Sequence, residues 1–148
     1  MKVTSDHAYF RAARHRAARL FAYLWAAPTS AIGLLFLIPP LLRISRVHMR
    51  IVDGVLELHG GIVSLFLRHG TLLPGGAAAM TLGHVVLGAN QLSLDETRDH
   101  ERVHVRQVER WGPVFIPAYL VASLIAWMRG RDPYMDNPFE IEAFGRNV

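Results

Sequence analysis

One uncharged stretch near the amino terminus constrains the fold of this chain more than any other feature. Residues 20–42, LFAYLWAAPTSAIGLLFLIPPLL, contain no charged side chain over 23 positions. As a helix they extend roughly 34 Å, which is enough to cross the hydrocarbon core of a bilayer. Arginines stand on both sides, with Arg19 before the stretch and Arg43 after it. We therefore predict a membrane anchor that ends at the Pro39–Pro40 pair.

A cleavable signal peptide is the alternative interpretation of the same stretch. Signal peptides combine a charged leader, an apolar region of about 7–15 residues and a small-residue cleavage site. Here the leader is long, the apolar stretch is longer than that, and no clear A-x-A site follows it. We therefore favour two parts: a basic amino terminus with an anchor over residues 1–42, and a domain over residues 43–148.

The charge balance indicates which partner the basic residues bind. The net charge is +4 over 148 residues, and the 16 basic side chains are arginines apart from Lys2. Such a surplus suits either nucleic acid or anionic lipid. A nucleic-acid-binding protein has no use for the uncharged stretch. We therefore predict a membrane protein whose arginines bind anionic headgroups, with no nucleic-acid partner.

Alternating side chains after the anchor predict a small antiparallel sheet. In RVHMRIVDGVLELHGG, apolar and polar residues alternate on both sides of Asp53-Gly54, which is a strong hairpin signal. The segments IVSLFLRHG at 62–70 and AAAMTLGHVVLGA at 77–89 resemble further strands, with a turn at 74–76 between them.

Helical signals follow the predicted sheet. Ser93 and Glu96 have the spacing of a capping box, and Gly112 marks the other end of that helix. The uncharged segment 113–128 is short for a membrane span. A last short helix is predicted to begin at Asn137. Together these elements predict an α+β fold with an N-terminal membrane helix, a small antiparallel sheet and three later helices.

The first of those later helices carries the motif HERVH, with His100, Glu101 and His104. Histidines four residues apart on a helix can bind one metal ion, and the adjacent glutamate can act as a general base on the metal-bound water. Because the chain has no cysteine, any metal must be held by His, Asp or Glu. That set suits Zn²⁺ with three protein ligands and a water. The alternative is two buried histidines that hydrogen-bond to the backbone.

The helical positions of the arginines favour the metal interpretation. At about 100° per residue, an arginine stripe lies almost opposite the two histidines. We expect the histidines to face inward and the stripe to face water or anionic headgroups. The stripe consists of Arg98, Arg102, Arg106 and Arg110.

The third ligand is predicted in the last helix, NPFEIEAF. Glu140 falls at the third helical position after the Asn137 cap, where a glutamate can also simply complete the cap. Glu142 is the alternative third ligand. It lies about 200° around the helix, so both glutamates cannot face one metal from a regular helix.

Membrane topology adds a condition. If residues 20–42 and 113–128 both crossed the bilayer, His104 and Glu140 would lie on opposite sides and could not share a metal outside it. The segment 113–128 must therefore be re-entrant or interfacial, or the tail must return as a hairpin. The twelve residues 129–140 reach roughly 40 Å when extended, which allows the return.

The combination of HExxH with a later E-x-E-A helix resembles the gluzincin-type zinc metallopeptidases. In the CAAX-prenyl-protease and HtpX-like membrane peptidases, and in the ImmA/IrrE-like peptidases, an E-x-x-A-[DN] helix supplies the third zinc ligand from its first glutamate. The resemblance implies that Glu140 is this ligand and that Ala143 is the motif alanine. Phe144 stands where those families carry Asp or Asn, a position from which a ligand histidine is oriented.

The same resemblance implies a zincin-like fold, in which an edge strand aligns an extended substrate beside the metal. The segment 81–87 is the predicted edge strand. The last third of the chain also resembles a group of small uncharacterised bacterial membrane proteins, which implies a bacterial inner membrane.

These features predict a membrane-associated zinc metallopeptidase that acts on a peptide or protein. Zinc would be held by His100, His104 and Glu140, with Glu101 as the catalytic base. The alternative function is a non-catalytic membrane scaffold or partner-binding protein with a structural metal site or none.

Overall fold

The computed structural model describes residues 3–71 and 73–145, with side chains from residue 16 onward. Two helices, a β-hairpin, a third helix, a second β-hairpin and three more helices follow one another, and short 3-10 turns join α1 to α2 and α4 to α5. In chain order the elements are α1 (Val3–Leu34), α2 (Ile38–Leu41), β1 (His48–Val52), β2 (Val55–His59), α3 (Gly61–His69), β3 (Ala79–Leu82), β4 (Val85–Gly88), α4 (Gln91–Trp111), α5 (Phe115–Met128) and α6 (Pro138–Ala143). The predicted α+β class is confirmed.

The four strands form one mixed sheet in the order β1-β2-β4-β3. The β1–β2 and β3–β4 pairs are antiparallel, whereas β2 and β4 are parallel. The prediction of an antiparallel sheet is therefore wrong for the central pair. Helix α3 is the reason, because a helical crossover brings the second hairpin alongside the first in parallel orientation.

Helix α3 occupies the segment that was predicted as a strand at 62–70. Val63 and Leu67, four residues apart, are both fully buried, which is the periodicity of a helix face rather than of a strand. Gly60, the residue before the helix, and Gly61, its first residue, have positive φ angles of 90° and 51°. A short apolar run is compatible with either a helix or a strand, and here its packing against the sheet determines that it forms a helix.

Both hairpins have turns that require the left-handed backbone region. Asp53 and Gly54, with φ angles of 50° and 82°, connect β1 to β2 as the sequence predicts. Gly83, with φ 69°, lies between β3 and β4. The predicted edge strand at 81–87 is therefore wrong as a single strand: its first residues belong to edge strand β3 and its last to interior strand β4.

Helix α1 packs one face against the rest of the protein. Ala26 and Thr29 are buried, Thr29 Oγ1 donates to the Gly112 carbonyl at 3.4 Å, and Ser30 Oγ accepts from the His84 backbone N–H at 2.9 Å. The opposite face exposes large apolar side chains: Leu20, Phe21, Leu24 and Ile32. The apolar stretch therefore has one face on the protein and another open to its surroundings.

Two helical segments are long and apolar enough to cross a membrane, Arg16–Leu41 and Gln91–Met128. Core helices and signal sequences share these properties. In the second segment, α4 carries charged side chains from Asp95 to Arg110, so its apolar part is α5. Fourteen residues of α5 extend about 21 Å, less than the hydrocarbon core of a bilayer.

The chain after α5 folds back alongside that helix. This return is the condition under which His104 and Glu140 can contact the same metal ion. The Asn137 amide nitrogen donates to the Tyr119 carbonyl at 3.1 Å and to Ser123 Oγ at 2.8 Å. These contacts place the start of α6 beside the middle of α5.

Helix α4 lies at the centre of the fold. One apolar cluster joins it to the sheet through Leu94 and Val105, and another joins it to α1 and α5 through Val108. The helix begins at Gln91, where the Asn90 side chain accepts from the Ser93 N–H at 2.8 Å. The predicted Ser93–Glu96 capping box is therefore wrong by one turn, because Asn90 caps first, while the predicted end at Gly112 is confirmed.

Candidate metal centre

Three side chains from two helices converge beside β3. His100 and His104 of α4 have their Nε2 atoms 3.1 Å apart. Glu140 of α6 lies 3.2 Å from His100 and 3.4 Å from His104, measured from a carboxylate oxygen to each Nε2. The three ligand atoms lie within 4.8 Å of one another, so these side chains could hold a metal ion. We call His100, His104 and Glu140 the metal group.

The local sequence explains why Glu140 reaches the histidines. The Asn137 side chain caps α6 by accepting from the Phe139 N–H at 3.0 Å, and Pro138 occupies the first helical position. The cap is thus complete without Glu140, whose carboxylate points to the histidines instead. Both Asn137 and Glu140 are buried.

Glu142 points away from the metal group. Its carboxylate accepts from Gln107 Nε2 at 3.0 Å and lies 3.6 Å from the Arg110 guanidinium. A regular helix separates the two glutamates by about 200°, and α6 directs Glu140 to the histidines.

The buried carboxylate fits a cation. Glu140 Oε2 is buried and lies 3.2 Å from His100 Nε2, without a hydrogen bond to any other described residue. Burial raises the pKa of Glu140, but hydrogen bonds with His100 and His104 outweigh that effect and lower the pKa to about 2. The carboxylate is therefore ionised at neutral pH. Two imidazoles and a carboxylate are a donor set typical of zinc and of other first-row transition metals.

Glu101 lies next to the metal group but is held separately. Its Oε2 accepts from Thr81 Oγ1 at 2.6 Å, and the side chain is buried. Burial raises the pKa of Glu101, while the His104 charge and the Thr81 hydrogen bond oppose the rise. A carboxylate whose pKa is shifted upward is better matched to general-base chemistry near neutral pH.

Gln107 orients His104. The imidazole Nδ1 lies 2.8 Å from Gln107 Oε1, and Gln107 Nε2 donates to the Phe139 carbonyl at 3.0 Å and to Glu142. Because the amide nitrogen is used as a donor towards α6, the amide oxygen accepts from Nδ1–H. That tautomer directs the Nε2 lone pair of His104 into the metal group.

Gln107 was not predicted as a site residue, although its position on helix α4 indicates that it faces the histidines. At 100° per residue, Gln107 falls about 20° from His100 on the inward face of α4. Thr81 was also not assigned a role, because its contact with Glu101 joins residues 20 positions apart.

Phe144 replaces the polar residue that the metallopeptidase resemblance implies. Its ring centroid lies 4.5 Å from that of His100, at an interplanar angle of 53°. His100 Nδ1 is buried without a hydrogen-bond partner among the described residues. Packing against Phe144 therefore replaces a hydrogen bond at Nδ1 of His100, whereas Nδ1 of His104 is held by Gln107.

Two of the four arginines in the stripe, which was predicted to face water or anionic headgroups, contact the β1–β2 hairpin. Arg98 Nε donates to Glu57 Oε1 at 3.1 Å, and Arg102 donates to the Val52 carbonyl at 2.7 Å. Glu57 of β2 is buried and needs cationic partners, which draws these arginines onto the β1–β2 hairpin. Arg106 and Arg110 remain exposed.

A cleft of about 770 Å³ opens beside the metal group. His100, Glu101, His104 and Glu140 all line it. Strand β3 contributes one side of the cleft and helix α5 another. The group is thus accessible to a molecule much larger than water.

No family model, curated protein or solved structure matches this chain. The function is therefore argued from the geometry of the metal group and its cleft.

Proposed function

We propose that this protein is a membrane-associated zinc metallopeptidase. One observation carries the proposal: two histidines and a glutamate converge within 4.8 Å beside a buried glutamate, at the wall of an accessible cleft. The zinc ligands are His100, His104 and Glu140, and Glu101 is the general base. Zinc bound there supplies a Lewis acid that polarises a peptide carbonyl and acidifies water.

The residues of the chain carry the proton and hold the geometry. Glu101 takes a proton from the attacking water and later gives it to the leaving amine. The Thr81 hydroxyl holds the Glu101 carboxylate at 2.6 Å, and the Tyr119 hydroxyl donates to Glu140 Oε1 at 2.6 Å. Each of these hydrogen bonds fixes one carboxylate at the cleft wall.

The exposed apolar faces support membrane association. Helix α1 exposes 68% of Phe21 and helix α5 exposes 65% of Trp127, which is unfavourable in water. Arg16 and Arg19 precede the apolar face of α1, where they can bind anionic headgroups.

A non-catalytic scaffold with a structural metal is the second candidate. It is favoured by Gln107, which joins α4 to α6 directly beside the metal group. However, structural zinc sites are closed by four protein ligands, and the group here has three and faces a cleft. An open coordination position distinguishes the two functions.

Zinc content tests the metal site. Elemental analysis of detergent-purified protein is expected to give one zinc per chain, lost in His104→Ala and Glu140→Ala. Glu142→Ala is the matched control from the same helix and is expected to retain zinc. Loss in Glu142→Ala but not in Glu140→Ala would move the third ligand, and absence of zinc after reconstitution would overturn the proposal.

Acetohydroxamate tests the open position. A hydroxamate binds a metal only where a coordination position is free, so it is expected to raise the Tm of the zinc-loaded protein. The same Tm with and without acetohydroxamate would favour the structural site and the scaffold function.

A further inference from the structure

The cleft beside the metal group is larger than hydrolysis of one bond requires. Its volume of about 770 Å³ lies within the range of about 300–1,000 Å³ that encloses a drug-sized ligand. It therefore has room for several residues of a substrate, and its walls select among them.

Three walls of different chemistry surround this space. Helix α4 contributes the polar wall, which includes Glu96 and Asp99 in addition to the two histidines of the metal group. Strand β3 contributes Met80 and Leu82, and helix α5 contributes Ile116 and Leu120. Two of the three walls are thus apolar, and the charged wall carries carboxylates that repel acidic side chains.

Helix α5 presents apolar side chains on two faces. Ile116 and Leu120 are four residues apart and line the cleft. Val121, the next residue, does not line it, although it is exposed to a similar extent: 55%, against 51% for Leu120. A half-exposed leucine in a concave wall gains buried area when an apolar group enters, whereas Val121 faces away from the cleft.

We infer that the cleft selects polypeptide segments with consecutive apolar side chains next to the bond that is cleaved. This inference rests on the proposed peptidase function and names the substrate class of the same site. Apolar side chains bury against Met80, Ile116 and Leu120, while the extended backbone passes the metal group. Burial of one leucine side chain tightens binding roughly tenfold or more.

Peptide hydroxamates test this selection with a common metal-binding group. Dissociation constants are measured by calorimetry for zinc-loaded protein in lipid nanodiscs, with the hydroxamates of N-acetyl-Leu-Leu, N-acetyl-Ser-Ser and N-acetyl-Lys-Lys. Acetohydroxamate is the reference probe, since it occupies the metal position alone. The Leu-Leu compound is expected to bind at least tenfold more tightly than the Ser-Ser compound.

Two variants assign the preference to the cleft wall. Leu120→Ser is expected to reduce the preference for Leu-Leu over Ser-Ser at least threefold, and the matched control Val121→Ser is expected to leave it unchanged. Ile116→Ala is a second cleft variant with the same expectation, should Leu120→Ser not fold. Because Leu120 and Val121 lie on one helix, a general effect on α5 would change the Leu-Leu preference equally in Leu120→Ser and Val121→Ser.

The outcomes separate the two proposals. If acetohydroxamate and all three peptide compounds fail to bind, the peptidase proposal is overturned and this inference with it. If acetohydroxamate binds but the Leu-Leu compound binds no better than the Ser-Ser or Lys-Lys compound, only the substrate class is wrong. An equal loss of preference in Leu120→Ser and Val121→Ser also overturns it.

Discussion

Gln107 lies 2.8 Å from the Nδ1 atom of His104 and is itself fully buried. The same amide donates to the Phe139 carbonyl, directly before Glu140. One side chain thus fixes both a histidine ligand and the helix that carries the carboxylate ligand. The resemblance to metallopeptidases would place such a contact on residue 144, where Phe144 stands; in this structure Gln107 of the HExxH helix makes the contact with His104.

Gln107→Leu is expected to weaken zinc binding about 10- to 100-fold, the usual effect of losing a hydrogen bond that orients a metal ligand. Leucine keeps the volume but cannot accept from His104 or donate to α6. Chelator competition measures the affinity, and circular dichroism checks the fold. Gln91→Leu, at the half-buried start of the same helix and far from the metal group, serves as control. Equal zinc affinities in the two variants would show that Gln107 does not orient a metal ligand.

The local parts of the site could be predicted from the sequence. The spacing of His100 and His104 follows from helical periodicity, and the Asn137 cap with Pro138 follows from residue preferences at helix starts. Each of these signals depends on residues within one or two turns. For the same reason the Asp53-Gly54 turn was predicted correctly.

The parts that depend on distant contacts could not be predicted. The arginine stripe was expected to face water because the sequence does not show that Glu57, 41 positions before Arg98, is buried beside it. Helix α3 was assigned as a strand because its apolar pattern suits both elements, and packing of Val63 and Leu67 decides.

Glu101→Gln is expected to retain zinc and lose hydrolysis by roughly 100- to 10,000-fold, the usual contribution of a general base. The amide keeps the size of the side chain and can still bond to Thr81, but it cannot accept a proton. Zinc content and turnover of a fluorogenic apolar peptide are measured together. Glu109→Gln, a glutamate on the same helix that does not line the cleft, should keep both. A Glu101→Gln protein with full turnover would exclude Glu101 as the base.

Glu57 is expected to make stability depend on pH in the acidic range. Burial raises the pKa of Glu57, but hydrogen bonds from Arg98 and Arg50 lower it below its ordinary value. A depressed folded pKa means that the stabilisation is fully present above the unfolded pKa, about 4.5. It is lost as the pH falls through the lower, folded pKa.

Glu57→Gln therefore should reduce the free energy of unfolding by roughly 3 kcal/mol at pH 7, since it breaks a buried ion pair. The deficit should be smaller at pH 3, which lies below the unfolded pKa of about 4.5, because part of the stabilisation by the charge is lost there. Urea denaturation at pH 7 and pH 3 measures the free energy of unfolding of Glu57→Gln and of the wild type. The substitution of an exposed carboxylate, Asp99→Asn, is the control. A deficit of the same size at both pH values would show that packing, not charge, accounts for it.

Gly83 tests whether α1 is part of the folded domain. Gly83 has φ 69°, and a Cβ there would lie 2.6 Å from the Ser30 backbone nitrogen. Gly75 has φ 85° with no atom within 4 Å of such a Cβ, so it shares the backbone penalty of about 1–2 kcal/mol but not the collision.

Gly83→Ala is therefore expected to destabilise the protein by clearly more than Gly75→Ala and to expose α1 to protease. The excess arises because the turn between β3 and β4 must move away from Ser30, which breaks the hydrogen bond from His84 N–H to Ser30 Oγ. Thermal unfolding and limited proteolysis in detergent measure the two effects. Equal Tm values and equal cleavage of α1 in the two variants would mean that α1 does not dock on this turn, and that the domain begins after the apolar stretch.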